Sequence, residues 1–197
     1  ASAERFIWLS ASPGHEEACI AGLEAMLGQG VPIVGGSAAD DSVAGDWYLL
    51  TLDANLGDAV VVTALYPSTA LHSAFQSGYA PTNERGRVTA SEGRTLISVD
   101  GEPAAAVYDA WTDGAIAAAR PAGGNILAST TLFPIGRRVG ELAGVAYYRL
   151  AHPESVTPEG ALRLFADVAV GDELVLMRGT SEALRTRAGR VAADALA

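Results

Sequence analysis

"FIWLSASPGHEEACIAGLEAMLGQGVPIVGG", residues 6–36, is the stretch on which the fold turns. Phe6 to Ser10 is a short apolar run of strand length. Ser12 and Pro13 follow, a capping hydroxyl and a residue suited to the first helical position. Glu16 and Glu17 stand where the positive end of a helix dipole favours acids. Cys19, Ile20, Leu23, Met26 and Leu27 then recur at three- and four-residue spacing, which predicts a helix with one buried face. Gly28 and Gly30 end it, and Val31 to Gly36 begins a second strand.

Working outward, Trp47 to Leu52 and Ala59 to Tyr66 flank the turn formers of "DANLGD" and predict an antiparallel hairpin. Leu71 to Ser77 is a further candidate strand, running into "SGYAPTNERG", which reads as a loop. Val88–Thr89 and Thr95 to Val99 flank "ASEGR" as a second hairpin. Pro103 opens a helix striped with Val107, Tyr108, Trp111 and Ala115, and "RPAGGN" at 120–125 breaks it. Arg137 and Arg138 in "FPIGRRVG" read as a solvated connector. Gly144 to Leu150, Ala161 to Val168 and Glu173 to Met177 read as strands, and a last helix begins at Thr180 or Ser181 with Leu184, Ala188, Val191 and Ala195 as its stripe.

The expected fold class is therefore α+β, with largely antiparallel or mixed sheets covered by about three helices in two sequential halves, residues 1–124 and 125–197. "RVTASEGRTLISVDGEPA" and "SVTPEGALRLFADVAVGDE" share a Val-Thr, a Glu-Gly turn, a strand and an Asp-containing turn. Two copies fall short of a repeat, so duplication and shared hairpin grammar both stay open.

Composition removes whole classes of function. A net charge of -10 from 23 acids and 13 bases argues against a nucleic-acid partner. All 13 bases are arginine, so chemistry needing a titratable lysine, whether Schiff base, Walker or kinase type, is excluded. Apolar runs such as Ala59 to Tyr66 fall far short of the roughly 20 residues of a membrane helix. The start lacks the pattern of a secretory signal, so the chain reads as cytosolic or already processed. One cysteine, Cys19, forms no internal disulfide and reads as a small core residue. Three scattered histidines give no zinc signature, and "DDSVAGD" lacks the ligand pattern of a calcium loop, so no metal and no cofactor is expected.

"VGGSAADD", residues 34–41, has no G-x-G-x-x-G and no P-loop ending. Two readings stay open: a tight turn, or a loop where Gly35 and Gly36 bare their amides while Ser37 and Asp40 offer side-chain bonds. An amino acid would give its ammonium to Asp40 and its carboxylate to the amides. Arg149, after two tyrosines, could take a ligand carboxylate bidentately or pair with a core-edge acid, and it joins this loop only if the two halves fold against each other. The catalytic alternative is a serine hydrolase using Ser37 or Ser73 with His72 or His15. No G-x-S-x-G elbow supports it. His15 and His152 read as surface residues.

Three segments, "VGGSAADD", "SGYAPTNERGRVTASEGRTLISVDGEPAAAVYDAW" and "YYRLAHPESVTPEGALRLFADVAVGDELVLM", together resemble the FIST domain proteins, the first two the N-terminal region and the last the C-terminal region. The resemblance implies a sensory module of signal transduction that binds small ligands such as amino acids, without catalysis. Its motif positions are Gly35, Gly36 and Ser37, then Gly78 and Pro81, then Asp100, Gly101 and Pro103. With His72 and Arg149 added from the residues themselves, the expected ligand set is Gly35, Gly36, Ser37, Asp40, His72, Gly78 and Arg149. The chain ends after one helix where a further strand is expected, and so reads as a fragment. A fragment leaves a sheet edge or apolar face for a partner chain, so a homodimer, a scaffold role and a separate output protein are the expected partners.

Overall fold

The computed structural model describes residues 6–40, 44–72, 74–142 and 145–196. It divides into two compact units between residues 73 and 74. The first contains β1 (Phe6–Ala11), α1 (Glu16–Leu27), β2 (Ile33–Ser37), β3 (Leu49–Leu50), β4 (Asn55–Leu56) and β5 (Val60–Leu65). β1 and β2 pair in parallel across the helical crossover, β5 pairs antiparallel on the other side of β1, and β3 and β4 form a separate short ladder.

The second unit contains β6 (Tyr79–Glu92), β7 (Thr95–Val99), β8 (Glu102–Pro103), α2 (Ala104–Trp111), β9 (Gly124–Asn125), α3 (Leu127–Thr130), β10 (Ile135–Leu142), β11 (Val145–Ala151), β12 (Pro153–Val156), β13 (Leu162–Leu164), β14 (Glu173–Gly179) and α4 (Ser181–Leu196). One antiparallel sheet runs β11-β10-β14-β6-β7-β13-β12-β9, with β8 beside β7. The fold class is thus α+β with mixed sheets, and α3, a single turn, adds to the three expected helices. The two echoing hairpins lie side by side, joined by β7 and β13.

The main core belongs to the second unit. Val88, Leu96, Val99, Tyr108, Ile135, Leu162 and Leu174 cluster there, with Trp111 packed against them. Tyr108 donates its hydroxyl to the Phe133 carbonyl at 2.7 Å, so its buried polar tip is satisfied. α2 stops at Trp111, earlier than its apolar stripe suggests, because Asp113 (φ 55°) and Gly114 (φ 87°) turn the chain out of the helix. Buried Asp109 then organises the next turn, accepting the Ile116 amide at 3.1 Å and the Arg120 guanidinium at 2.9 Å. At Asp100–Gly101 both residues have positive φ (52° and 86°), as a tight turn between β7 and β8 needs.

Several local expectations are corrected. "SGYAPTNERG" is not a loop but largely strand: β6 is 14 residues long, and Pro81, which has no N–H to give, falls where the β14 register shifts between Val175 and Met177. "FPIGRRVG" is mostly β10, and Pro153–Val156 adds β12 between the expected strands. β5 pairs with β1 rather than with the stretch from Trp47, since β1 offers six facing residues and β3 only two. Leu71–His72 and residues 74–78 form no strand, and Ser73 lies outside the described residues. α1 has no buried residue, and Met26 on its apolar stripe is 85% exposed. Helical spacing set the stripe, but nothing in it specifies a neighbour to cover it.

Candidate ligand site

The parallel pair β1–β2 sets the geometry of the first candidate site. Ile7, Leu9 and Ala11 face Ile33, Gly35 and Ser37, the Ile7 amide donates to Pro32 O at 2.9 Å, and the Ala38 amide donates to Ala11 O at 2.9 Å. In a parallel ladder of this phase the amides of Val34, Gly36 and Ala38 turn toward β1. Those of Gly35 and Ser37 therefore point to the outer edge of β2, with which no strand pairs among the described residues. Gly35, Gly36 and Ser37 are all exposed there.

Gly35 is required by its neighbour. Its φ is +149°, and a Cβ on it would stand 1.7 Å from the Leu9 carbonyl oxygen. Gly36 has nothing within 4 Å of where a Cβ would be, so it faces open space. Ser37 Oγ donates to Glu16 Oε1 at 2.6 Å, while Glu16 Oε2 accepts the Gly14 amide at 2.9 Å. The carboxylate beside the strand end is thus Glu16, from the first turn of α1, a role its sequence position showed only as a dipole partner. Ser12 does not cap α1: His15 holds that position without a side-chain bond, and Ser12 Oγ donates to Gly57 O at 3.2 Å and accepts the Ala59 amide at 2.9 Å. It fastens the end of β1 to the start of β5.

Of the remaining expected ligand residues, Asp40 and His72 belong to the first unit and Gly78 and Arg149 to the second. Asp40 does not point its carboxylate outward as an empty acceptor. It takes the amides of Ala44 at 3.1 Å, Gly45 at 2.7 Å and Asp46 at 2.8 Å, and so builds the turn after β2. Asp41 lies outside the described residues. His72 is exposed, and Ser37 bonds to no imidazole among the described residues, so the serine-histidine contact a hydrolase needs is not made there. Gly78 is buried where a Cβ would stand 2.5 Å from Leu184 Cδ2, so it seats α4 against the start of β6. Arg149 belongs to the second unit, on edge strand β11 opposite Arg137. The cleft it lines there has room of about 10 Å³, enough for one water at most.

Arg137 and His152 are also corrected. Arg137 is not a solvated connector residue: it donates to Asp172 Oδ2 at 2.9 Å with both groups largely covered. Burial opposes the Asp172 charge, but the Arg137 bond, the Ala169 amide and the charges of Arg137 and Arg149 outweigh it and hold this carboxyl below 3.8. His152 is half-buried, its Nε2 3.2 Å from the Tyr79 hydroxyl and 3.3 Å from Thr131 O, with the two rings edge to face. Burial pushes it below 6.5, partly offset by the Thr131 carbonyl.

Among the described residues no group of three or more His, Cys, Asp and Glu side chains could hold a metal, and no helix is long and apolar enough to cross a membrane. The FIST N domain matches residues 2–102, and the FIST C domain matches residues 104–197. No curated protein and no solved structure matches the chain.

Proposed function

The chain belongs to the FIST family, whose domains are associated with sensory roles in signal transduction, and from that premise we propose that it binds a small polar metabolite of the amino-acid type at the outer edge of β2. The observation that carries this reading is the pair of outward amides at Gly35 and Ser37, which no strand pairs among the described residues, beside the Glu16 carboxylate. The amides suit a ligand carboxylate, and Glu16 suits an ammonium. The ligand signals only through a difference in its affinity for two arrangements of the protein. A separate protein then receives the signal.

Thermal melting against a panel of amino acids and carboxylates tests this. A ligand at 100 times its dissociation constant adds about 2.7 kcal/mol of stability. Gly36→Val, whose side chain enters open space, keeps the fold and removes the ligand's effect. A panel without any stabilising member, or a shift that survives Gly36→Val, contradicts the proposal. Turnover of a generic ester lost in Ser37→Ala would instead establish the hydrolase.

A second reading, a scaffold, has one observation in its favour. The unpaired β2 edge could accept an extended peptide as an added strand, beside a sheet whose Trp8 is 53% exposed. An amide-rich peptide that binds where free amino acids do not would favour it.

A further inference from the structure

The second unit carries a concentration of positive charge at odds with a chain of net charge -10. β14 lies between β10 and β6, with Val175 opposite both Gly136 and Arg85, and Glu173 opposite Arg87. Leu174 pairs with Arg137, which puts Arg138 beside Glu173, and Arg138 faces Tyr148 on β11. Strand alternation therefore sends Arg85, Arg87, Arg138 and Tyr148 to one face, opposite the face on which Leu174 and Leu176 enter the core. They line a cleft of about 320 Å³, within the range of small-molecule sites.

The cleft is not self-neutralised. Arg87 is committed, donating to Gly171 O at 2.8 Å and to Glu173 at 2.7 Å. Arg138 shares its guanidinium with Glu141 on its own strand. The Arg85 guanidinium makes no hydrogen bond or ion pair among the described residues. Arg87 and Arg138 are each paired with a carboxylate, Glu173 and Glu141, so three guanidiniums against two carboxylates leave an excess of one positive charge, at Arg85. Tyr148 is seated by its neighbour strand: a Cβ on Gly136 would stand 2.7 Å from Met177 Sδ and 3.3 Å from Tyr148 Cδ1, so the glycine lets the tyrosine ring lie close over β10.

We propose that this cleft binds a phosphate group, free or as the head of a small phosphorylated metabolite. The unpaired fork of Arg85, the donors Arg138 has beyond its bond to Glu141, and the Tyr148 phenol match the terminal oxygens of a phosphate. The cleft lies wholly in the second unit and does not depend on the reading of the β2 edge.

The test is calorimetric titration of the full chain with inorganic phosphate and with glycerol phosphate, against succinate and sodium chloride at matched ionic strength. Phosphate, its monoester or both bind, and the tighter of the two names the source. Arg85→Gln, which breaks no side-chain hydrogen bond or ion pair among the described residues, weakens that binding at least tenfold, and Arg138→Gln and Tyr148→Phe weaken it too. Arg163→Gln, exposed on β13, leaves it unchanged. No binding by either phosphate, equal binding of succinate, or binding that Arg85→Gln and Arg138→Gln leave intact overturns the proposal.

Discussion

Replacing Gly35 by alanine should disrupt the first unit, while the same change one residue later should not. At Gly35 the new Cβ would sit 1.7 Å from Leu9 O, 2.7 Å from Leu9 C and 2.9 Å from Leu9 N, all backbone atoms that no rotamer change can move. Relief requires β2 to withdraw from β1. That weakens the two ladder bonds around Leu9, each with a net value of about 1 kcal/mol. Alanine at a φ of +149° adds about 1–2 kcal/mol of backbone strain, so the total cost is roughly 3–4 kcal/mol, a large share of a typical 5–15 kcal/mol stability. At Gly36 a Cβ meets nothing, and alanine there should be neutral or stabilise by up to about 1 kcal/mol by restricting the unfolded chain. Amide hydrogen exchange read on peptides separates the two. In Gly35→Ala, exchange accelerates by roughly two orders of magnitude or more in peptides spanning β1 and β2. Peptides spanning β13 and β14 serve as the internal reference and keep their rates. Wild-type exchange in β1 of Gly35→Ala, or equal effects from Gly35→Ala and Gly36→Ala, would refute the reasoning.

Three further outcomes are expected from the second unit. Because burial holds His152 below 6.5 in the folded protein, its contribution is complete above that pH and is lost as pH falls through the window between 6.5 and the folded value. Urea unfolding across that range should show the loss, and His152→Gln should abolish it. Asp109→Ala leaves the Ile116 amide and Arg120 without their acceptor, at a cost of about 2–4 kcal/mol in the same assay. A cost below about 0.5 kcal/mol would show the turn after α2 to be held by other contacts. Tyr108→Phe strips the donor from Phe133 O without opening a cavity, and a loss of about 1–2 kcal/mol is expected, against none if that carbonyl finds another partner.

The helices were legible in the sequence because their signals are local: Thr180 caps α4 by accepting the Ala183 amide at 3.1 Å, and the stripe from Cys19 to Leu27 marks α1. Strand identity was legible where apolar residues ran together, as in β1, β5, β7 and β14. It failed in β6 and β10, where Pro81, Asn83, Gly86 and Gly136 carry turn chemistry into strands. Each has β14 as a second partner far along the chain, Gly179 facing Tyr79 and Leu176 facing Ile135, and a local window contains no trace of it. The same distance hid the site. Ser37 and Glu16 are 21 residues apart, and their hydrogen bond closes over the crossover. Asp40 was legible as a polar group in a glycine-rich turn, but its three amides come from residues four to six further on, an enclosure that composition cannot display.

The central claim is that the outward amides of Gly35 and Ser37 receive a small polar ligand. Its most direct test is the backbone amide NMR spectrum of labelled protein, titrated with whichever amino acid or carboxylate raises the melting temperature. Saturable shifts at Gly35 and Ser37 that exceed those elsewhere and vanish in Gly36→Val are expected. Shifts confined to other residues, with these two amides unmoved at saturation, would contradict it.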